Sequence, residues 1–170
     1  MRTCIAILSL APLLLAESAA GLKWTTPQGW KTEAARPMRA ATYSIPSAPG
    51  DHEIAECAAY FFGQGSGGSI QANIDRWKGQ FQRAGQPSDA KVDKRTIHGL
   101  AVTTIESSGD YTGMGGPMTP QKTTAHNYRL LGAIVEGPGG NIFIKLTGPS
   151  KTVEANRKQF AALLASFQKE

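Results

Sequence analysis

The stretch from residue 128 to 147, YRLLGAIVEGPGGNIFIKLT, decides the fold. Two apolar runs, 128–136 and 141–147, are joined by Gly137, Pro138, Gly139 and Gly140, and this pattern predicts an antiparallel hairpin. Within them 130–135 and 142–146 are apolar at both parities rather than alternating, which predicts strands covered on both faces. Working outward, 91–97 and 100–107 read as a second hairpin across His98 and Gly99, and 38–45 and 54–62 as further strands separated by the turn-rich 46–51. Trp24 and Trp30 flank a turn at Pro27, Gln28 and Gly29.

Two segments carry a helical period instead. In 69–81, Ile70, Ile74, Trp77 and Phe81 share one face, Ser69 can cap, and Gly85 with Pro87 marks the stop. Gln80 falls on the opposite face, where a substitution is expected to cost little. In 150–168, Ser150 can cap, and Val153, Phe160, Leu164 and Phe167 form a stripe interrupted by Arg157. The order is strands, helix, two hairpins, helix. It predicts an α+β fold, a mostly antiparallel sheet flanked by two helices, one on each face.

The 170 residues are 41% hydrophobic and 18% charged, a composition that excludes a disordered tail and suits one core. Arg2, the apolar run 4–16 and the small residues Ser18, Ala19 and Ala20 read as a secretory signal. The run is too short to span a membrane. The expected division is therefore a signal peptide at 1–20 and a single α/β sandwich domain at 21–170, periplasmic or secreted, with no membrane span in the mature chain. Removing 1–20 takes one Arg and one Glu, so the mature chain keeps the net charge of +5. The basic clusters, Lys91, Lys94 and Arg95 and then Lys151, Arg157 and Lys158, lack interleaved aromatics, so no nucleic-acid partner is expected. Cys57, the single thiol left after processing, sits in the run AECAAYFF and reads as a core residue.

Several runs carry a resemblance: WTTPQGW from Trp24, MRAATY from Met38, YFFGQGSGGSIQANIDRWKGQF from Tyr60 and KLTGP from Lys145. They are similar to a group of exported bacterial proteins without an assigned activity, and the likeness covers nearly all of the mature chain. The element order resembles the α/β/α sandwich of the PsbP-like group, which includes an extrinsic photosystem II subunit and a Ran-binding nuclear import factor. That resemblance implies an accessory or binding protein rather than an enzyme, and it brings no site residues with it.

The run Gly63-Gln64-Gly65-Ser66-Gly67-Gly68 satisfies G-x-G-x-x-G between a strand and a helix, with Asp89 and Asp93 about 20 residues on, as a dinucleotide site requires. The chain downstream turns at once into a hairpin, so the favoured reading is a glycine-rich connection. A simpler use is anion or carboxylate capture at the helix start. His52, Glu53 and Glu56 lack zinc-protease spacing and read as a solvated turn, and His98 as an exposed turn residue. Met114, Met118 and His126 are weak candidates for Cu(I). No nucleophile is framed for catalysis, so no catalytic residue, cofactor or metal is assigned.

The expected function is thus an exported, non-enzymatic domain engaging an envelope protein or peptide through loops at one end of the sheet. The alternatives are a small-molecule or anion-binding module using the Gly-rich loop, and a hydrolytic enzyme. The candidate ligand-binding residues are Gly65, Ser66, Gly67, Gly68 and Ser69, with Tyr111, Met114 and Met118 from the loop that follows the second hairpin.

Overall fold

The structure, a computed structural model, describes residues 16–113 and 124–170. In chain order its elements are β1 (Ala16–Ala19), β2 (Leu22–Thr25), β3 (Lys31–Thr32), β4 (Arg39–Ile45), β5 (Ala55–Tyr60), α1 (Ile70–Lys78), β6 (Phe81–Arg83), β7 (Gln86–Pro87) and β8 (Ala90–Ile97). Then follow β9 (Leu100–Thr112), β10 (Thr124–Gly137), β11 (Gly140–Pro149), α2 (Ser150–Ala155), α3 (Arg157–Ala165) and β12 (Gln168–Lys169).

Both expected hairpins form and run longer than their apolar cores. β10 and β11 pair from Tyr128↔Pro149 to Gly137↔Gly140, leaving Pro138 and Gly139 as the turn. β8 and β9 close at Ile97↔Leu100 around His98 (φ +47°) and Gly99 (φ +74°), the left-handed pair that a two-residue reversal needs to match strand twist. His98 is exposed, and its Nδ1 lies 3.0 Å from the Phe167 carbonyl. The main sheet runs β3-β4-β5-β11-β10-β9-β6-β7, with β8 also paired to β9, and β1, β2 and β12 make a separate small sheet. Every pairing among the described residues is antiparallel. A dinucleotide fingerprint works inside a parallel βαβ unit, whereas here the helix after the Gly-rich loop leads into β6, which lies antiparallel to β9.

Helices cover both sheet faces. On one, Ile74 and Trp77 of α1 pack with Phe81, Ile105, Leu130, Ile134 and Phe143. On the other, α2 and α3 press Val153, Phe160, Leu163 and Leu164 onto a larger core that holds Trp24, Trp30, Tyr43 and Phe167. Cys57 is fully buried in that core, where burial pushes its thiol pKa up, as suits an inert packing residue.

Four local expectations need correction. The first helix ends at Lys78, so Phe81 supports it from β6 rather than from the helix itself. Gln80 is buried and hydrogen-bonded, not exposed. The C-terminal helix is two helices parted at Asn156, whose Oδ1 accepts from Trp30 Nε1 at 2.8 Å while its Nδ2 donates to the Thr152 carbonyl at 2.9 Å. Ser150 is the first residue of α2 and makes no capping hydrogen bond; Pro149 precedes it. Arg157 breaks the apolar stripe because its guanidinium pairs with Glu106 at 2.6 Å and Glu154 at 2.8 Å.

The Ala20–Gly21 bond, where signal cleavage is expected, lies in the turn between β1 and β2, with φ of +57° and +70° at its two residues. Processing there removes β1 and leaves β2 paired only with β12. Intact mass of exported material is expected to give a chain beginning at Gly21. A chain beginning at or before Ala16 would show that β1 stays with the domain. No helix among the described residues is long and apolar enough to cross a membrane.

Candidate functional site

Strand β11 turns Ile142, Ile144 and Leu146 toward α2 and α3, and Phe143, Lys145 and Thr147 toward α1. A lysine on an interior strand of a covered sheet needs space, and its register neighbours are small. Lys145 stands opposite Ala58 on β5 and Gly132 on β10, two of the smallest residues available. Gly132 must be small, since a Cβ there would lie 2.8 Å from both the Trp77 ring and Ile105. Beside Lys145 a cavity of about 620 Å³ lies between α1 and the sheet, within the usual range for small-molecule sites.

The walls are aromatic. Tyr60 stacks with Phe62 (centroids 6.0 Å apart), Phe62 tilts against Phe143, and Tyr111 stacks with Tyr128 at 5.9 Å. Lys145 Nζ donates to Gln80 Oε1 at 2.6 Å and to the Tyr111 hydroxyl at 3.0 Å, and lies 4.8 Å from the Tyr111 ring centroid. Burial, and after it the charge of Arg76, lowers the Lys145 pKa to about 8, with Glu56 acting the other way. Burial raises the pKa of Tyr60 and Tyr111, and burial followed by the hydrogen bond to Glu53 pushes Tyr128 up to about 12. All three phenols therefore keep their protons at neutral pH.

Charge at the cavity is unbalanced. Glu56 is held by Arg39 at 2.8 Å and Arg36 at 3.3 Å, and Arg39 also lies over the Tyr60 ring. Glu53 accepts from Tyr128. Arg76 donates to Asn73 Oδ1 at the mouth. Among the described residues neither Lys145 nor Arg76 forms an ion pair. Two cations thus border one cavity without an ion-paired carboxylate among the described residues. The cavity also borders Thr147, whose Oγ1 is buried with no hydrogen-bond partner among the described residues.

Of the residues singled out in the sequence, Tyr111 lines this cavity, while Met114 and Met118 lie outside the described residues. His126 is exposed and pairs with Asp110 at 2.9 Å. Gly65, Ser66, Gly67, Gly68 and Ser69 form the connection into α1 and brace the cavity rather than line it. Asn73, itself a cavity residue and 1% exposed, donates to the carbonyls of Gly67 at 2.8 Å and Ser69 at 2.9 Å. Ser69 caps α1 as expected, accepting from the Ala72 amide at 3.1 Å, and the Asn73 amide is also satisfied, by the Ser69 carbonyl. One helix-start donor, the Ala72 amide, is therefore used by the cap.

Gly67 (φ +90°) explains why glycine is required here, because a Cβ would lie 2.7 Å from Phe143 and 2.8 Å from Phe62. Gly67→Ala is expected to cost about 1 to 3 kcal/mol through strain and overpacking. Urea denaturation checks this, and a variant as stable as the parent would show that the loop does not hold the aromatic wall.

Lys145, Gln80 and the small pair Ala58 and Gly132 escaped the sequence reading. The available signal was a lysine inside a run otherwise apolar at both parities, Ile142 to Leu146, which lets no side chain out to water.

No family model matches the chain, and no curated protein matches it by sequence. By structure it is similar to the cyanobacterial PsbP (CyanoP) of Synechocystis sp. PCC 6803 as determined in solution. The TM-score is 0.52 at 12% identity, over 97% of this chain and 98% of that one. At that identity the likeness shows the fold, and the fold is PsbP-like: α+β, with mostly antiparallel sheets and three helices among the described residues.

Proposed function

We propose that the chain is an exported binding domain whose ligand is an anion seated in the cavity between α1 and the sheet. The observation that carries this reading is Lys145: a partly buried ammonium group, beside Arg76, with hydrogen-bond acceptors around it but no carboxylate partner. An unpaired charge in such a place costs stability, and a bound anion would offset that cost. Binding suits the site better than catalysis. Lys145 donates to both Tyr111 and Gln80, and among the described residues neither Lys145 nor Tyr111 is hydrogen-bonded to a histidine or carboxylate that could pass a proton. The export part of the reading rests on the apolar N-terminal run and its small-residue end.

An NMR titration with acetate, succinate, benzoate and inorganic phosphate tests the site. The expected result is amide shifts at Ala58, Gly132 and Lys145 with at least one of these anions, lost in Lys145→Met. Shifts at residues 65–70 with none at the cavity would reject this site and return binding to the Gly-rich loop.

A further inference from the structure

We propose that the cavity takes a small aromatic carboxylate, with one carboxyl group on Lys145 and Tyr111 and a flat ring system lying along the tyrosine and phenylalanine walls. The inference rests on the anion-binding reading above and adds the class of ligand.

The donors argue for a carboxylate. Lys145 spends two of its three N–H protons on Gln80 and Tyr111, which leaves one for the cavity. The Tyr111 oxygen accepts from Lys145, so its own proton remains to be donated. These two donor atoms are 3.0 Å apart, a spacing that suits the two oxygens of one carboxyl group. Arg76 at the mouth adds a favourable field without being needed for contact. A phosphate dianion fits less well. It brings more acceptor oxygens than this pair can satisfy, and Glu56 on the same wall opposes a second negative charge.

The walls argue for a ring. Tyr60, Phe62, Phe143, Tyr111 and Tyr128 all border the cavity that Lys145 lines, so a ligand seated at the ammonium has aromatic side chains around it. Aromatic surfaces favour an aromatic partner beyond the area it buries. The space of about 620 Å³ is also far larger than a bare carboxylate such as acetate fills.

The test is calorimetric titration of the chain with 2-naphthoate, cyclohexanecarboxylate, 2-naphthamide and inorganic phosphate, repeated with Lys145→Met, Lys145→Arg and, as a remote control, Lys94→Met. The expected order places 2-naphthoate about fivefold tighter than cyclohexanecarboxylate and at least about tenfold tighter than 2-naphthamide or phosphate. Lys145→Met should erase the preference for naphthoate over naphthamide, Lys145→Arg should keep part of it, and Lys94→Met all of it. Melting curves of each variant separate loss of binding from loss of fold. Equal affinity for the two carboxylates, or phosphate as tight as naphthoate, would overturn the aromatic class and leave anion binding standing. Naphthamide as tight as naphthoate would overturn both readings. No heat and no shift with any of the four would overturn the aromatic carboxylate, while the smaller anions of the previous titration still decide the anion site.

Discussion

Replacing Trp77 by alanine is expected to destabilise the domain by about 3 to 5 kcal/mol. Trp77 is 5% exposed, and its ring covers Gly132 so closely that a Cβ there would lie 2.8 Å away. It is the main anchor of α1 on the sheet, with Ile74 one turn earlier and Phe81 supporting from β6. Below it lie Gly132 and, opposite Gly132 on β9, Ile105. Urea or thermal denaturation measures the loss. A variant with the parent's midpoint would show that α1 is not anchored on this face. Gln80→Ala, by contrast with the sequence expectation, should cost about 1 to 3 kcal/mol, because it strips a partly buried ammonium group of one acceptor.

Replacing Lys145 by methionine should act in the opposite direction and raise stability at pH 7 by about 2 kcal/mol. A pKa lowered from 10.5 to about 8 means that below pH 8 the native chain holds a proton in a poorer environment than the unfolded chain offers. Methionine removes that cost and keeps the length of the side chain, while Gln80 and Tyr111 lose a donor, which takes back about 1 kcal/mol. The pH dependence has a definite sign. Between pH 8 and 10.5 the native lysine gives up its proton while the unfolded one keeps it, so the Lys145 contribution to stability rises with pH. The advantage of the methionine variant should therefore shrink over that window. Denaturation of both proteins at pH 7 and pH 10 checks it, and a methionine variant less stable at pH 7 would show that the ammonium is already compensated.

Much of the fold was legible in the sequence because its signals are local. The His98-Gly99 reversal, the doubly apolar runs around the Gly137 to Gly140 turn, and the Ile70, Ile74, Trp77 stripe each state their structure within a few residues. The break at Asn156 was not legible, since it depends on a hydrogen bond from Trp30, more than a hundred residues away. Gln80 was misplaced because extending the helical period past Lys78 assigned it to the wrong side. The site itself needs strand register. Lys145 falls in register with Ala58 and Gly132, and nothing in any one strand reveals that these three share a row. The sequence pointed to Gly65, Ser66, Gly67, Gly68 and Ser69 as the ligand loop, and Gly67 (φ +90°) lies where an added Cβ would meet Phe62 and Phe143, a requirement of the fold that is separate from any ligand. Tyr111 was the residue that both views share.

The most direct measurement is an NMR titration of the Lys145 ε-methylene with pH, assigned by its loss in Lys145→Met, in the absence and presence of 2-naphthoate. The free chain should titrate at about 8, and an anion held against the ammonium must raise that midpoint toward the ordinary lysine value by the same free energy with which protonation strengthens binding. An ordinary midpoint in the free chain, or one that saturating naphthoate leaves unmoved, would contradict the claim that Lys145 is an unpaired cation awaiting an anion.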